Sequence, residues 1–174
     1  MSVRKRAWTT KQGEQKEAWV VDYVDQQGVR RLKTFTRKKE ADAFAGTASV
    51  EVREGVHVAD SASIAVKEAG ELWLSSAKAA GLEQSTLDQY RQHLDLHIAP
   101  FIGEVLVSQL SVPRVRAFED TLREGKRSPQ MVRKVLTSLS SLIEDAKERG
   151  LAVRNVARDL KGRRRHGKDR KAER

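Results

Sequence analysis

The first 35 residues of this chain hold two short runs of β-branched and aromatic side chains around a four-residue turn, whereas residues 64 to 160 space their apolar side chains three and four apart. One layer cannot accommodate both periods, so the chain must build two unlike parts. The runs AWVVDYVD (18 to 25) and VRRLKTF (29 to 35) flank DQQG, with Asp25 and Gly28 at the first and fourth turn positions, which is a hairpin signal. A three-residue loop with Gly28 left-handed pairs Trp19 with Phe35, Val21 with Lys33 and Tyr23 with Arg31. That register places aromatic and basic groups on one face, and a slip of one residue would change every partner. An earlier strand from Val3 to Thr9 supplies a third member. Thr36 then caps a helix, RKKEADAFAGTASVEVREG, whose stripe of Ala41, Phe44, Ala45 and Ala48 is expected to cover the other face of the sheet.

The pattern weakens over GVHVADSAS, and four helices follow it. The first, about 64 to 80, carries Val66, Ala69, Trp73, Ala77 and Ala80 on one side. The second is expected to start at a Ser85 cap with Asp88 as its capping-box acid, to bury Leu87, Tyr90, Leu94 and Ile98, and to end at Pro100 and Gly103. The third runs from a Ser111 cap, with Pro113 in its first turn, to Gly125 and buries Val115, Phe118 and Leu122. The fourth has the clearest ends: Ser128 as cap, Pro129 first, Gly150 just beyond. Its stripe is Val132, Leu136, Leu139, Ile143 and Ala146, with Gln130, Arg133, Lys134, Thr137 and Ser141 opposite. A turn over 155 to 160 closes the bundle. The expected class is α+β: a small three-stranded antiparallel sheet with one helix (1–57), a linker (58–63), a four-helix bundle (64–160) and a tail (161–174).

Charge narrows the partner. Lys and Arg outnumber Asp and Glu by 34 to 24, and the last fourteen residues hold 8 basic against 2 acidic ones. A tail of that composition, without apolar periodicity, is expected to be disordered. The excess points to a polyanion, without choosing between DNA, RNA and an acidic membrane surface. No apolar run approaches the roughly 20 residues of a membrane span, so no membrane partner is expected and the chain is assigned to the cytoplasm. With no cysteine, thiolate chemistry and a Cys-based zinc site are excluded.

The bundle resembles the core-binding, SAM-like domain of the tyrosine recombinases of the phage-integrase family. The resemblance lies in Trp73 and Leu74, then Thr86, Tyr90, His97, Ile98, Pro100 and Gly103 in the order T-x3-Y-x6-HI-x-P-x2-G, then Leu110, Ser111, Phe118, Leu122, Ser128, Ala146, Gly150 and Asn155. Where family members often have Pro after that Asn, this chain has Val156. The first segment, through Trp19, Tyr23, Gly28, Lys33, Phe35 and KKEADAF, is similar to the arm-type DNA-binding domain that precedes it in many integrases. In the family a separate C-terminal domain carries the nucleophilic Tyr and its Arg, Lys and His partners. Here the tyrosines are Tyr23 and Tyr90, and His166 opens an H-x3-R pattern rather than H-x2-R. No catalytic position carries over, so the chain is expected to bind rather than cleave: a fragment, a truncated gene or a binding-only product.

The resemblance implies double-stranded DNA as partner, together with other integrase protomers on it, and no cofactor, metal or small-molecule substrate. It implies that the second and fourth helices approach the major groove, through Gln89, Gln92 and His93 and through Gln130, Arg133, Lys134 and Thr137. From the sheet, Arg4, Lys5, Arg6, Arg30, Arg31 and Lys33 are the candidate contacts, because a thin sheet fits a major groove. Trp19 and Tyr23 are assigned to packing. Polar positions opposite an apolar stripe are also what a plain solvated face looks like. His93 and His97, four apart, allow a shared metal, but no Cys or third His lies near, and the pair is assigned to the binding surface. The function expected is the DNA-binding portion of an integrase that recognises arm-type and core-type sites. A truncated integrase-like regulator and an RNA-binding module are the alternatives.

Overall fold

A computed structural model describes residues 1–160; the tail, with Arg163, Arg164 and Arg165, lies outside the described residues. Strands β1 (Ser2–Thr9), β2 (Gln15–Val24) and β3 (Arg30–Phe35) form one antiparallel sheet with β2 central. The hairpin register is the expected one, Trp19 opposite Phe35 and Tyr23 opposite Arg31. Its turn is set by Asp25, whose Oδ1 accepts the N–H groups of Gln27 (3.0 Å) and Val29 (2.9 Å), and by Gly28 at φ 81°, a conformation that a side chain resists.

Helix α1 (Lys38–Arg53) departs from expectation in two ways. It follows Arg37 with no side-chain cap, so Thr36 does not start it. It also lies on the aromatic face, not the opposite one: Ala41 packs with Val21 and Tyr23, and the Phe44 ring meets Tyr23 and Phe35 at 5.9 and 5.3 Å. Trp19, Val21, Tyr23 and Phe35 bring three aromatic rings to that face, and the helix stripe gains by covering them. The basic residues among them reach past the helix to its rim. Tyr23 donates its hydroxyl to His57 Nε2 at 2.8 Å and His57 Nδ1–H donates to Glu51 at 2.8 Å. Glu51 as a pure acceptor fixes that tautomer, and the chain of bonds ties the end of α1 to the sheet.

The bundle comprises α2 (Val66–Ala79), α3 (Gln84–His93) running through a wide π turn (Leu94–Ile98) into α4 (Ala99–Ile102), then α5 (Val112–Glu124) and α6 (Pro129–Glu148). The Ser111 and Ser128 caps are present, accepting from Arg114 and Met131 backbone N–H groups at 3.4 and 3.1 Å. The Ser85 cap is not. Helix α3 begins two residues earlier, after Glu83, and Asp88 instead accepts the side-chain amide of Gln84 at 2.8 Å. Nor does Pro100 stop the second helix; it lies directly after the π turn, in the first turn of α4, and the rod ends at Gly103. Ala80 is exposed, while Val135 and Leu142 join the predicted stripe of α6 in the core. Buried Asn155 fastens the closing turn by donating to Ser140 O and Glu144 Oε2, both at 2.8 Å.

Helix α2 and the π turn touch at Gly70. A Cβ there would lie 2.5 Å from Leu94 Cδ1 and 2.8 Å from Cδ2, and Leu94 is fully buried, so it can yield only against its core neighbours. Gly70→Ala should therefore lower stability by about 1–3 kcal/mol through overpacking, although Ala is the better helix former by about 1 kcal/mol. Urea denaturation measures it, and a second change, Leu94→Val, is expected to restore part of the loss.

Candidate nucleic-acid interface

Because α1 covers one face of the sheet, the other is open. Strand alternation places Arg4, Arg6 and Trp8 of β1, Val20, Asp22 and Val24 of β2, and Arg30, Leu32 and Thr34 of β3 on that open face. Its polar groups are organised around Asp22. Arg30 donates Nε–H to Oδ1 at 2.9 Å and Nη2–H to Oδ2 at 2.5 Å, and Arg4 Nη2 reaches Oδ2 at 3.2 Å. The Arg30 guanidinium, hydrogen-bonded to it, holds the Asp22 carboxyl below the usual carboxylate range.

The six basic candidates of the first segment are thus divided. Arg4, Arg6 and Arg30 share the open face, while Lys5, Arg31 and Lys33 point to the α1 side. Lys5 pairs with Glu17 at 2.6 Å, Arg31 with Asp25 at 2.8 Å, and Lys33 with Asp60 at 2.8 Å, its ammonium 4.4 Å from the Phe44 ring centroid. Arg31 and Lys33, partly buried, are corrected from exposed contacts to partners within the fold, whereas Lys5 and Glu17 stay exposed, at 53% and 57%; period 2 sends successive residues to opposite faces. Asp60 also accepts from Ser108 Oγ at 2.8 Å, and Arg31 donates to Ser61. The sheet is thereby linked through residues 60 and 61 to the loop before α5. Asp22 was missed; its alternation with Val20 and Val24 was the available signal.

On the bundle, Gln130, Arg133, Lys134 and Thr137 follow one another at i, i+3, i+4 and i+7 along α6, and all four are exposed. Neither Arg133 nor Lys134 has a carboxylate partner among the described residues. Beside them a groove of about 940 Å³ runs between α5 and α6, with Val132 and Leu136 in its floor and Arg116, Arg123 and Arg133 on its walls. Glu119, buried in α5, binds Arg123 at 2.6 Å and also pairs with Arg116. Burial would raise its pKa, but the two guanidiniums offset this and leave the carboxyl below its ordinary range.

Gln89 and Gln92 of α3 are exposed, as expected, but His93 is not. His93 is 4% exposed with Nδ1 2.7 Å from Ser138 Oγ, and His97 is 7% exposed. The assignment of this pair to an outward surface is corrected: both rings lie in the bundle, 6.4 Å apart. The signal was present, since His93 and His97 stand three and seven residues after Tyr90, in the register of the buried stripe. No three His, Cys, Asp or Glu side chains converge on a metal site among the described residues. Burial depresses the pKa of both histidines, with the positive charge of His97 and Lys134 adding for His93, and that of Arg127 for His97.

The tyrosines are also internal. Tyr23 is 4% exposed and its pKa is raised by burial, the reverse of what an activated phenolate needs. Tyr90 is half-buried and stacks on Trp73 with ring centroids 4.5 Å apart.

The Phage integrase central domain family matches residues 66–163, and the chain belongs to that family. No curated protein matches its sequence. Among solved structures it is similar to the phage integrase SAM-like domain from Moorella thermoacetica, at 26% identity and TM-score 0.51, over 61% of this chain and 91% of that one. It is also similar to an integrase-like domain from Bacillus cereus, at 19% identity and TM-score 0.50, over 53% of this chain and 78% of that one. A lambda integrase tetramer bound to a Holliday junction matches over 89% of this chain and 46% of that one, at 13% identity and TM-score 0.53. This chain thus corresponds in fold to about half of lambda integrase. No helix among the described residues is long and apolar enough to cross a membrane.

The histidines generate a pH prediction. Their folded pKa values lie below the ordinary 6.5, so above that value both folded and unfolded chains hold them neutral and their contribution is complete. Below it the unfolded chain takes up protons first, and stability falls. Urea midpoints should fall as the pH is lowered through about 6.5, and His97→Leu, which removes a buried Nδ1 with no partner among the described residues, should make the fall shallower. An equal drop in that variant would remove His97 from the account.

Proposed function

We propose that this chain is the DNA-holding portion of a site-specific tyrosine recombinase, whose sheet engages an arm-type site and whose bundle engages a core-type site. The observation that carries this is the uncompensated cationic and amide stripe Gln130, Arg133, Lys134 and Thr137 on α6, within a bundle of the integrase family. Arg and Lys there neutralise phosphates and release counterions, and Gln and Arg carry the paired donors and acceptors that base edges require. Gln89 and Gln92 extend the amide set from α3. The open sheet face, with Arg4, Arg6 and Arg30, is the second surface, and a thin sheet of this kind is of a size to enter a major groove. The structure of lambda integrase on a junction supports DNA as the class of partner.

The fold gives its phenols to packing, so the chain is assigned to binding and positioning rather than strand cleavage. Residues 1–57 and 64–160 are proposed as the two recognition units, joined by the linker 58–63. Other integrase protomers on the same DNA are the proposed protein partners.

Binding of the full chain to a duplex, followed by anisotropy at several salt concentrations, tests the proposal. Changing Arg133 and Lys134 together to Ala should weaken binding and reduce the slope of log K against log salt by about 2, one per lost phosphate contact. An unchanged slope would exclude α6 as the contact surface. Failure of the unmodified chain to shift any duplex at low salt would refute the whole proposal, and stronger binding to RNA in competition would redirect it.

A further inference from the structure

Asp22 is the one carboxylate among the paired positions of the open sheet face. On a surface selected only to attract a polyanion it is counterproductive, since it repels phosphate and cancels part of the charge of its neighbours. As a stabiliser it offers little, because its partners are guanidiniums that stay largely in water, where ion pairing contributes modestly. Its geometry suggests another use. The Asp22 side chain is 13% exposed and those of Arg30 and Arg4 are 66% and 57% exposed, so the carboxylate lies at the bottom and two guanidiniums stand above it.

Arg30 has five N–H donors. Asp22 takes two of them, the Nε–H and one Nη2–H, which uses the inner edge of the fork. The outer edge, formed by Nη1 and the second Nη2 hydrogen, is not used by Asp22 on a side chain that is 66% exposed, and such an edge can pair with the O6 and N7 acceptors of guanine. Held by two hydrogen bonds, Arg30 has already lost much of the rotamer freedom that a free arginine loses on binding. Arg4, one strand away, leans on the same Oδ2, so the spacing of the two cations is set by one group. The remaining open-face arginine, Arg6, is opposite Ala18 and has no acid beside it on that face.

We propose that Asp22 is a positioning residue for sequence readout, clamping Arg30 end-on to solvent so that it pairs bidentately with a guanine in the major groove, with Arg4 fixed beside it. Asp22 exchanges affinity for discrimination. The proposal rests on the reading of the open face as a duplex-binding surface.

The test uses the full chain and a randomised duplex library. Sequences retained by the unmodified chain should share a guanine whose replacement weakens binding about tenfold. In Asp22→Ala and in the near-isosteric Asp22→Asn, binding to random duplex should stay equal or tighten, while discrimination at that guanine falls to about twofold or less. Arg30→Lys, which keeps the charge but not the fork, should lose the same discrimination and retain its salt slope. Urea midpoints of all three variants should stay close to that of the parent, separating a readout defect from unfolding. If the Asp22 variants keep their discrimination and only bind more tightly, Asp22 is merely a charge and the proposal is overturned. Duplex binding without any guanine preference overturns it while leaving the duplex reading intact. Absence of duplex binding defeats both.

Discussion

The structure depends on the burial of α6. Val132, Val135, Leu139, Leu142, Ile143 and Ala146 are all 1% exposed or less, and they form the wall against which α2, the π turn and α5 pack. At roughly 1.5–3 kcal/mol for each fully buried large aliphatic side chain, no other helix contributes as much to the core. The same helix therefore cannot turn: once its apolar side is fixed inward, Gln130, Arg133, Lys134 and Thr137 are fixed outward. The proposed contact stripe is rigid because the core behind it is.

Polar groups inside the fold serve connection. His93 to Ser138 joins the second helix to α6, Asn155 joins the closing turn to α6, and the Tyr23, His57 and Glu51 chain joins α1 to the sheet. Each replaces water that these groups would otherwise hold, so each is costly to break from one side. Asp60 does similar work between the two parts, taking Lys33 from the sheet and Ser108 from the bundle. Basic residues thus divide into those consumed by the architecture and those left for a partner.

Much of this was legible from residue order. The hairpin register followed from Asp25 and Gly28 because the turn geometry admits few alternatives, and α5 and α6 followed from Ser–x–Pro and Ser–Pro starts and glycine ends. Caps failed as guides at Thr36 and Ser85, where packing of the helix body set the start and no side-chain bond was made. Histidine was misjudged because its polarity suggests solvent, whereas its position in the stripe of Tyr90 and Leu94 meant burial; position prevailed, since a hydroxyl from Ser138 was waiting across the interface.

The sequence by itself determined the two periods, the ends of several elements, the β2–β3 hairpin register and the outward stripe of α6, all of which depend on residues near one another in the chain. Only the tertiary structure decided which sheet face α1 would cover, and with it whether Arg31 and Lys33 or Arg4 and Arg30 would remain available. That choice rests on matching apolar areas between elements, and on which carboxylates, Asp22, Asp25 and Asp60, come within reach once the chain has closed. Local order cannot encode it, because the partners are separated along the chain and meet only after the core has formed.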